Sequence, residues 1–282
     1  MSDEEVWAGD RVQRWLRQAD GLERQLASVA DVLFEAAAIK PGERVLDVGC
    51  GTGPTTRRAA ELVGRDGGVT GVDISADMVE AGAGALAASA DAASTVWVVA
   101  DVGVWEAPVA TFDVVLSRFG VMFFTDPVAA FSNLAAGCRG GGRLAVAVWA
   151  PRDDSPLFQV PLHAAAAALR SEGRIVVLPP DDEGPFSLGD PMATTALLER
   201  SGWRGVHIVT HDLAMPFGGG FNPKAAALAA LDFGPTRLIT AGIAGPLRAA
   251  ALRSIEGAFR DHLDDAGHVV LTGRVHVVTA TR

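Results

Sequence analysis

Short apolar runs alternate with segments of helical spacing along the first half of the chain. The runs occupy residues 45–48, 69–72, 96–99, 112–116 and 144–149. Apolar runs of this length are typical of strands buried on both faces of a parallel sheet. Their alternation with helical segments predicts an α/β fold with a doubly wound, Rossmann-like sheet.

The remaining chain predicts further elements. Residues 4–38 have apolar positions mostly at helical spacing, which indicates two helices broken near Asp20-Gly21. Helices over about 157–170 and 191–201 and a sixth strand over 206–211 follow the fifth strand. An alanine-rich helical stretch over 223–264 and a last strand over 275–280 complete the chain.

A glycine-rich turn follows the first predicted strand. The segment Val45-Leu46-Asp47-Val48-Gly49-Cys50-Gly51-Thr52-Gly53 has the spacing Gly-x-Gly-x-Gly, whereas a dinucleotide-binding fingerprint needs Gly-x-Gly-x-x-Gly. Glycine lets a ligand approach the main chain closely. Such a turn at a strand–helix junction favours a nucleoside-type ligand. A turn that only shapes the backbone is the alternative for the motif taken alone.

Two more acids end the second and third apolar runs. Asp73 closes the run before Ile74-Ser75, and Asp101 closes the next run. An acid at the tip of the second strand can accept hydrogen bonds from both hydroxyls of a ribose. Capping of the following helix is the alternative role for Asp73, although Ser75 is better placed for it.

Together these motifs resemble the class I S-adenosylmethionine-dependent methyltransferases, of the kind grouped with ubiquinone and menaquinone methyltransferases. The segments 117–124, 126–134 and 184–191 resemble a bacterial small-molecule branch of that family. The resemblance implies a seven-stranded sheet with five parallel strands plus a sixth, and a last strand that runs antiparallel between the fifth and sixth.

The resemblance also implies four parts of the chain. Residues 1–40 would form an N-terminal helical lid and residues 41–213 the Rossmann-like cofactor-binding core. Residues 214–268 would be a helical insertion over the substrate pocket, and residues 269–282 the terminal strand of the core sheet.

The cofactor implied is S-adenosylmethionine, with S-adenosylhomocysteine as the product. Asp47 and the glycines would flank its methionine end, Asp73 would bind the ribose, and Asp101 would accept from the adenine amino group. The implied cofactor-binding positions are Asp47, Gly49, Cys50, Gly51, Gly53, Asp73, Ile74, Met78, Asp101, Val102 and Ser117.

Methyl transfer from a sulfonium is an in-line displacement, so the protein supplies alignment, a dry pocket and, for some acceptors, a base. His211, at the expected carboxyl end of the sixth strand, and His163 are the candidate bases. Arg118 is expected beside the reacting groups. A structural role is the alternative for each histidine, and an ion pair with an acid of the core is the alternative for Arg118.

The expected acceptor pocket is apolar and aromatic with one cation, which suits a small, partly hydrophobic metabolite. Its expected lining is Trp7, Trp15, Arg118, Phe119, Phe124, Trp149, His163 and Phe186. For Trp7 and Trp15, docking of the helices on the body is the alternative. The branch often shows Asn-Pro-Trp where this chain has Ser155-Pro156-Leu157, so the family's acceptors do not transfer directly.

The expected reaction is methylation of an O, N or C atom. The alternatives are a non-methylating reaction that uses the same cofactor, such as a cyclisation or decarboxylation, and an inactive cofactor-binding subunit. Product analysis separates them.

The composition limits the kinds of molecule that the chain is expected to bind. The 282 residues carry a formal net charge of −10 and no cluster of Lys and Arg, which argues against nucleic acid as the acceptor. No apolar run approaches the ~20 residues of a membrane span. The acidic start lacks the features of a signal peptide, so we expect a cytoplasmic location. No metal site is expected, and the sequence indicates no particular oligomeric state.

Overall fold

The computed structural model describes the backbone of residues 10–85 and 93–282 and, within these ranges, the side chains from residue 18 onward. One mixed sheet runs through it. Its strands are β1 (Arg44–Val48), β2 (Gly68–Asp73), β3 (Ser94–Val99), β4 (Phe112–Arg118), β5 (Cys138–Trp149), β6 (Arg204–Pro216) and β7 (Val270–Thr281).

Ten α-helices are described around this sheet. They are α1 (Asp10–Gln25), α2 (Ala27–Ala37), α3 (Pro54–Val63), α4 (Ala76–Ala85), α5 (Pro127–Gly137), α6 (Pro156–Ser171), α7 (Pro191–Arg200), α8 (Pro223–Ala230), α9 (Gly234–Thr240) and α10 (Gly245–Phe259).

The strand order is β3-β2-β1-β4-β5-β7-β6. Strands β1 to β5 pair in parallel, and β7 pairs antiparallel with both β5 and β6. β6 therefore runs in the same direction as β1 to β5. The predicted α/β class and the antiparallel last strand between the fifth and sixth are confirmed. The strand order reverses at β1 and β4, and ligands bind in such sheets outside the carboxyl ends of the strands at that point.

The helices at the start of the chain lie across one face of this sheet. α2 packs against β5, β7 and β4. The guanidinium of Arg143 on β5 donates to the carbonyls of Ala37 and Ala38, at 2.6 and 2.7 Å, which satisfies carbonyls at the end of the helix. The same guanidinium forms an ion pair with Glu43 just before β1. We call this side of the sheet the α2 face.

The predicted helix break near Asp20-Gly21 is wrong. α1 continues to Gln25, and the interruption comes at Leu26. A glycine is needed at position 21 for packing, because a Cβ there would lie 2.6 Å from the carbonyl oxygen of Gly218. The glycine at position 21 therefore reflects a contact with a residue nearly 200 positions away in the sequence, and it does not mark the end of a helix.

The predicted sixth strand is too short. Residues 212–216 continue β6 beyond His211, and each of them pairs with β7. The first residues of the expected insertion thus belong to the sheet. α8, α9 and α10 follow β6, and α10 packs against α6, where the Ser254 hydroxyl donates to the carbonyl of Ala164 at 2.8 Å. The domain boundaries themselves stay a prediction.

Candidate functional site

The turn between β1 and α3 is built on three left-handed glycines. Gly49, Gly51 and Gly53 have φ of 66°, 54° and 78°, a region that residues with a Cβ enter at a cost. A Cβ on Gly49 would lie 2.6 Å from the Cα of Gly120, in the loop after β4. The main chains of the two loops therefore touch at the switch point of the sheet.

An indole from β3 supports this turn. Trp97 occupies the space next to Gly53, so that a Cβ on Gly53 would overlap its ring. The same ring lies beside Gly71 on β2 and Gly82 in α4, where an added Cβ would come within 3.3 and 2.7 Å of it. Trp97 is not among the residues predicted for the site, and the structure shows that three glycines from three different segments lie against its ring.

Asp47 is a fully buried acid beneath the turn. Its Oδ2 accepts hydrogen bonds from the hydroxyls of Thr55 and Thr56, at 2.7 and 2.6 Å. Its Oδ1 has no hydrogen-bond partner within the described residues. Burial raises the pKa of this carboxyl to about 6, while the two hydroxyls and the charge of Arg118 act in the opposite direction.

Asp73 lies at the end of β2, beside the same turn. Its Oδ2 accepts from the amide of Gly51 at 2.8 Å, and its Oδ1 accepts from the amide of Ser75 at 2.9 Å. Burial raises its pKa, against the effect of these backbone amides. Each carboxylate oxygen can accept a second hydrogen bond, so the group retains acceptor capacity for a ligand.

A side chain of α5 anchors the loop after β3. Asp101 accepts from the amide of Gly103 at 2.7 Å. The side-chain amide of Asn133 donates to the carbonyls of Val102 and Gly103, at 3.1 and 3.2 Å. Asn133 is a second residue that sequence analysis did not assign to the site. Of the remaining cofactor candidates, Ile74 is half-buried, whereas Met78 and Cys50 are buried.

These residues fit the cofactor that the sequence predicts. Three acids follow one another at the carboxyl ends of the adjacent strands β1, β2 and β3. Bare glycine backbone lies next to them, and the unpaired Oδ1 of Asp47 offers an acceptor for a cationic group. An amino acid joined to a nucleoside carries hydrogen-bond donors at both ends, which such a row of acids can accept.

Side chains at the C-terminal end of β4 contact both the glycine turn and α1. The Ser117 hydroxyl donates to the carbonyl of Val48 at 2.7 Å and accepts from the amide of Gly120 at 3.1 Å. It therefore braces the loops. Arg118 makes a two-point ion pair with Glu23 of α1, with one N···O distance of 3.0 Å. The acid expected as an alternative partner for Arg118 thus comes from the predicted lid.

Phe119 has a strained backbone. Its φ of 65° is in the left-handed region, which is uncommon for a bulky residue. The ring stacks on Trp149 with 4.2 Å between the centroids. Trp149 in turn packs edge-on against Phe158, and Phe158 against Phe186. Three of the expected pocket residues, Phe119, Trp149 and Phe186, therefore belong to one aromatic cluster.

The other expected pocket residues lie elsewhere. Phe124 lines a separate cleft of about 270 Å³, together with Met122 and Leu188. His163 is exposed on α6, where Asp153 is close enough to interact with it electrostatically. Trp7 lies outside the described residues, and so does the side chain of Trp15.

The expected position of His211 at the end of β6 is wrong, because five more residues of the strand follow it. β6 is the outermost strand, three strands from β4, or about 14 Å at the usual spacing. In register, His211 aligns with Val275 and Trp149, and Arg118 aligns with Ala147, two residues before Trp149. His211 therefore shares the α2 face with Arg118.

The described residues lack two kinds of feature. They contain no group of three or more His, Cys, Asp or Glu side chains arranged to hold a metal ion. None of the described helices is both long and apolar enough to cross a membrane.

Comparison with known proteins agrees with this geometry. Residues 45–142 match a family model described as a methyltransferase domain. The chain is 34% identical over 113 residues to the ubiquinone/menaquinone biosynthesis C-methyltransferase UbiE of Teredinibacter turnerae, covering 40% of this chain and 45% of that protein. It is 38% identical over 104 residues to the aklanonic acid methyltransferase DauC of Streptomyces sp., covering 37% and 47%. These matches span about half the length of the relatives.

The fold is also found in solved structures. A putative methyltransferase from an antibiotic biosynthesis pathway of Anabaena variabilis superposes with a TM-score of 0.59 at 14% identity, over 92% of this chain and all of that one. The matched residues 45–142 contain the glycine turn, Asp73 and Asp101. Residues 45–142 thus match a methyltransferase domain, and this part of the chain is similar to the class I S-adenosylmethionine-dependent methyltransferases of the bacterial branch related to the ubiquinone and menaquinone enzymes.

Proposed function

We propose that the chain binds S-adenosylmethionine and transfers its methyl group to an O, N or C atom of a small, partly hydrophobic metabolite. The observation that carries the proposal is the buried, unpaired Oδ1 of Asp47 beneath a turn of left-handed glycines. A buried acceptor without a partner is costly, and a bound cation would relieve that cost.

In this proposal the chain binds and orients the cofactor. Asp47 accepts from its methionine end, Asp73 accepts from the ribose, and Asp101 accepts from the adenine, while Trp97 keeps the turn in place. Bound S-adenosylmethionine supplies an electrophilic methyl group on a positively charged sulfur. The aromatic cluster around Trp149 excludes water from the side of the turn where an acceptor would lie.

A small acceptor is supported by the surroundings of β4. The Arg118–Glu23 ion pair lies beside Phe119, whose ring stacks on Trp149. The two relatives are named for C-methylation in quinone biosynthesis and for methylation of aklanonic acid. For an acceptor that needs deprotonation, we retain His211 as the candidate base, because it shares the α2 face with Arg118. His163, which is exposed, has less support.

Isothermal titration with S-adenosylmethionine and S-adenosylhomocysteine tests the cofactor site. We expect both ligands to bind, and Asp73→Asn to weaken binding at least tenfold, because one carboxylate acceptor becomes an amide donor. Asp66→Asn, on an exposed turn before β2, is the matched control and should bind normally. Failure of the wild-type protein to bind either ligand would refute the proposal.

A second experiment separates methyl transfer from other reactions on the same cofactor. Candidate acceptors are incubated with the protein and S-adenosylmethionine, and both products are quantified. Methyl transfer requires one S-adenosylhomocysteine for each methylated product. Conversion of an acceptor at constant S-adenosylmethionine would instead indicate a cyclisation or decarboxylation.

A further inference from the structure

Arg118 lies beside the glycine turn, at the switch point of the sheet. β1 and β4 run in parallel with Asp47 aligned with Leu116, so Arg118 lies two residues farther along, level with Gly49. The hydroxyl of Ser117 donates to the main chain of β1, which shows that the two strands stay in this alignment up to their ends. The side chain of Arg118 therefore starts at the edge where ligands bind in such sheets.

α1 passes over the same edge of the sheet. It packs against α4, which follows β2, and against the turn after β6. Strands β1 and β4 lie between β2 and β6 in the sheet order. Near the end of α1, Glu23 forms the two-point ion pair with Arg118. The ion pair therefore connects α1 to the edge at which the cofactor is proposed to bind.

The two partners of this ion pair differ in their exposure to water. The side chain of Arg118 is 9% exposed, whereas that of Glu23 is 41% exposed. A carboxylate as exposed as Glu23 can be hydrated when it leaves the pair. A guanidinium that is almost excluded from water keeps its charge and needs an acceptor at all times. The guanidinium therefore stays in place, and its carboxylate partner can be replaced.

Arg118 also acts on the buried acid beneath the turn. Burial raises the pKa of Asp47, and the positive charge of Arg118 opposes that shift, so the two groups are near enough to interact. The Oδ1 of Asp47 has no hydrogen-bond partner within the described residues. An available acceptor and a guanidinium thus lie close together at the ends of adjacent strands.

This pair of groups suits the two charges of an amino acid. The unpaired oxygen of Asp47 can accept from an ammonium group. A carboxylate on the same carbon would be repelled by Asp47 and Asp73 unless a cation lay beside it. A guanidinium binds a carboxylate through two parallel hydrogen bonds, which is the arrangement that Arg118 already has with Glu23.

Two neighbouring arginines are less suited to this role. Arg57 donates to the carbonyl of Thr52 at 2.8 Å and so braces the turn itself. Arg58 pairs with Asp31 and lies over the ring of Phe34, and its side chain is 41% exposed.

We propose that Arg118 exchanges Glu23 for the carboxylate in the methionine part of S-adenosylmethionine, so that cofactor binding releases α1 from the end of β4. This inference rests on the proposed function, because it takes the glycine turn as the cofactor site. Glu23 occupies the guanidinium while the site is empty. It therefore competes with the cofactor, and it prevents a buried positive charge from being left without a partner.

The first test compares two ligands by isothermal titration. The probes are S-adenosylhomocysteine and its decarboxylated analogue S-adenosyl-3-thiopropylamine, which lacks only the carboxylate. We define the carboxylate preference as the ratio of their dissociation constants, in which effects common to both ligands cancel. We expect the wild-type protein to bind S-adenosylhomocysteine at least tenfold more tightly than the analogue.

Variants of the ion pair should change this preference in opposite directions. Glu23→Gln removes the competing carboxylate and should raise the preference at least threefold. Arg118→Gln removes the guanidinium and should abolish most of the preference. Arg118→Lys keeps the charge without the two-point geometry and should give an intermediate value. Asp31→Asn, which removes the acid from the Arg58 pair, is the matched control and should leave the preference unchanged.

The second test uses the melting temperature in three states: without ligand, saturated with S-adenosylhomocysteine and saturated with the analogue. Glu23→Gln should lower it without ligand, because Arg118 loses its carboxylate partner. The fall should be smaller with S-adenosylhomocysteine, which supplies a new carboxylate, and should persist with the analogue. Asp31→Asn should have the same effect in all three states.

The outcomes separate the two proposals. No carboxylate preference in the wild-type protein, or an unchanged preference in Arg118→Gln, overturns the assignment of Arg118. A preference that Glu23→Gln leaves unchanged or lowers overturns the exchange. A wild-type protein that binds neither ligand counts against the proposed function instead.

Discussion

At the scale of single residues, the protonation of Asp47 makes the stability of the folded protein depend on pH. Its folded pKa of about 6 is above the ordinary value of 3.8, so the folded state takes up a proton more readily than the unfolded chain. The stability contributed by this group therefore falls as pH rises from about 3.8 to about 6, and it recovers on acidification. On acidification from pH 7 to pH 5, the contribution of Asp47 to the free energy of unfolding increases by about 1 kcal/mol.

Asp47→Asn isolates this effect from the other titrating groups. The free energy of unfolding of the wild-type protein, relative to Asp47→Asn, should increase by about that amount from pH 7 to pH 5. Urea unfolding at the two pH values measures it. A difference between the two proteins that does not change with pH would contradict the buried, unpaired state of the carboxyl.

Alanine substitutions at two glycines of the turn distinguish the cost of backbone strain from the cost of a packing clash. Gly51→Ala adds a Cβ with no atom within 4 Å, so only the left-handed φ opposes it, at a cost of about 1 kcal/mol. Gly53→Ala has the same strain and also overlaps the ring of Trp97. We expect Gly53→Ala to be the more destabilising by at least about 2 kcal/mol. Equal losses in urea unfolding would argue against the supporting role of Trp97.

The residues that sequence reasoning could find are those whose role is local. The glycine spacing and the acids at Asp47, Asp73 and Asp101 are readable because a strand and the turn after it are contiguous in the chain. Trp97, Glu23 and Asn133 act through contacts across 15 to 95 positions, as the Trp97–Gly82 contact and the Arg118–Glu23 bond illustrate. An ordinary Trp, Glu or Asn in a helix or strand carries no signal of such a contact.

At the scale of elements, α1 depends on its fit against the turn after β6. Gly21→Ala should favour an isolated helix by about 1 kcal/mol, yet its Cβ would lie 2.6 Å from the Gly218 carbonyl oxygen. We expect α1 to detach and become sensitive to limited proteolysis. Gly257→Ala in α10 has open space around it and is the control, which should stabilise the protein. Equal proteolytic resistance of Gly21→Ala and wild type would contradict this packing.

Element boundaries show where local patterns are insufficient. The helices at 156–171 and 191–200 agree with the predicted ranges within one residue or so, because Pro156 and Pro191 mark their first positions. β6 was predicted to end at His211, yet its pairing with β7 continues to Pro216. The end of β6 is set by its pairing with β7, and the sequence of β6 alone does not mark it. The predicted position of His211 at the end of the strand was wrong for the same reason.

At the scale of the whole molecule, β7 holds the two parts of the sheet together. β6 pairs with β7 and with no other described strand. Deletion of residues 269–282 should therefore leave β6 and the helices after it without a place in the sheet. We expect the truncated protein to lose its cooperative unfolding transition in circular dichroism. A single transition like that of the full chain would show that β5 and β6 can pair directly.

The topology was predictable because the alternation of strands and helices leaves few arrangements. The position of the last strand came from resemblance to a family, since nothing in residues 275–280 indicates an antiparallel neighbour. The aromatic cluster was not predictable, because it combines residues that are far apart in the chain.

The place of β7 in the sheet also sets an order of events during synthesis. β1 to β5 and the glycine turn have left the ribosome while β6 still lacks the strand that joins it to them. The turn after β6, which anchors Gln25 and Arg24, can take its position only when β7 has paired. A nascent chain could thus complete its nucleoside-binding half first, and cofactor present at that stage would select the folded form before the acceptor side exists.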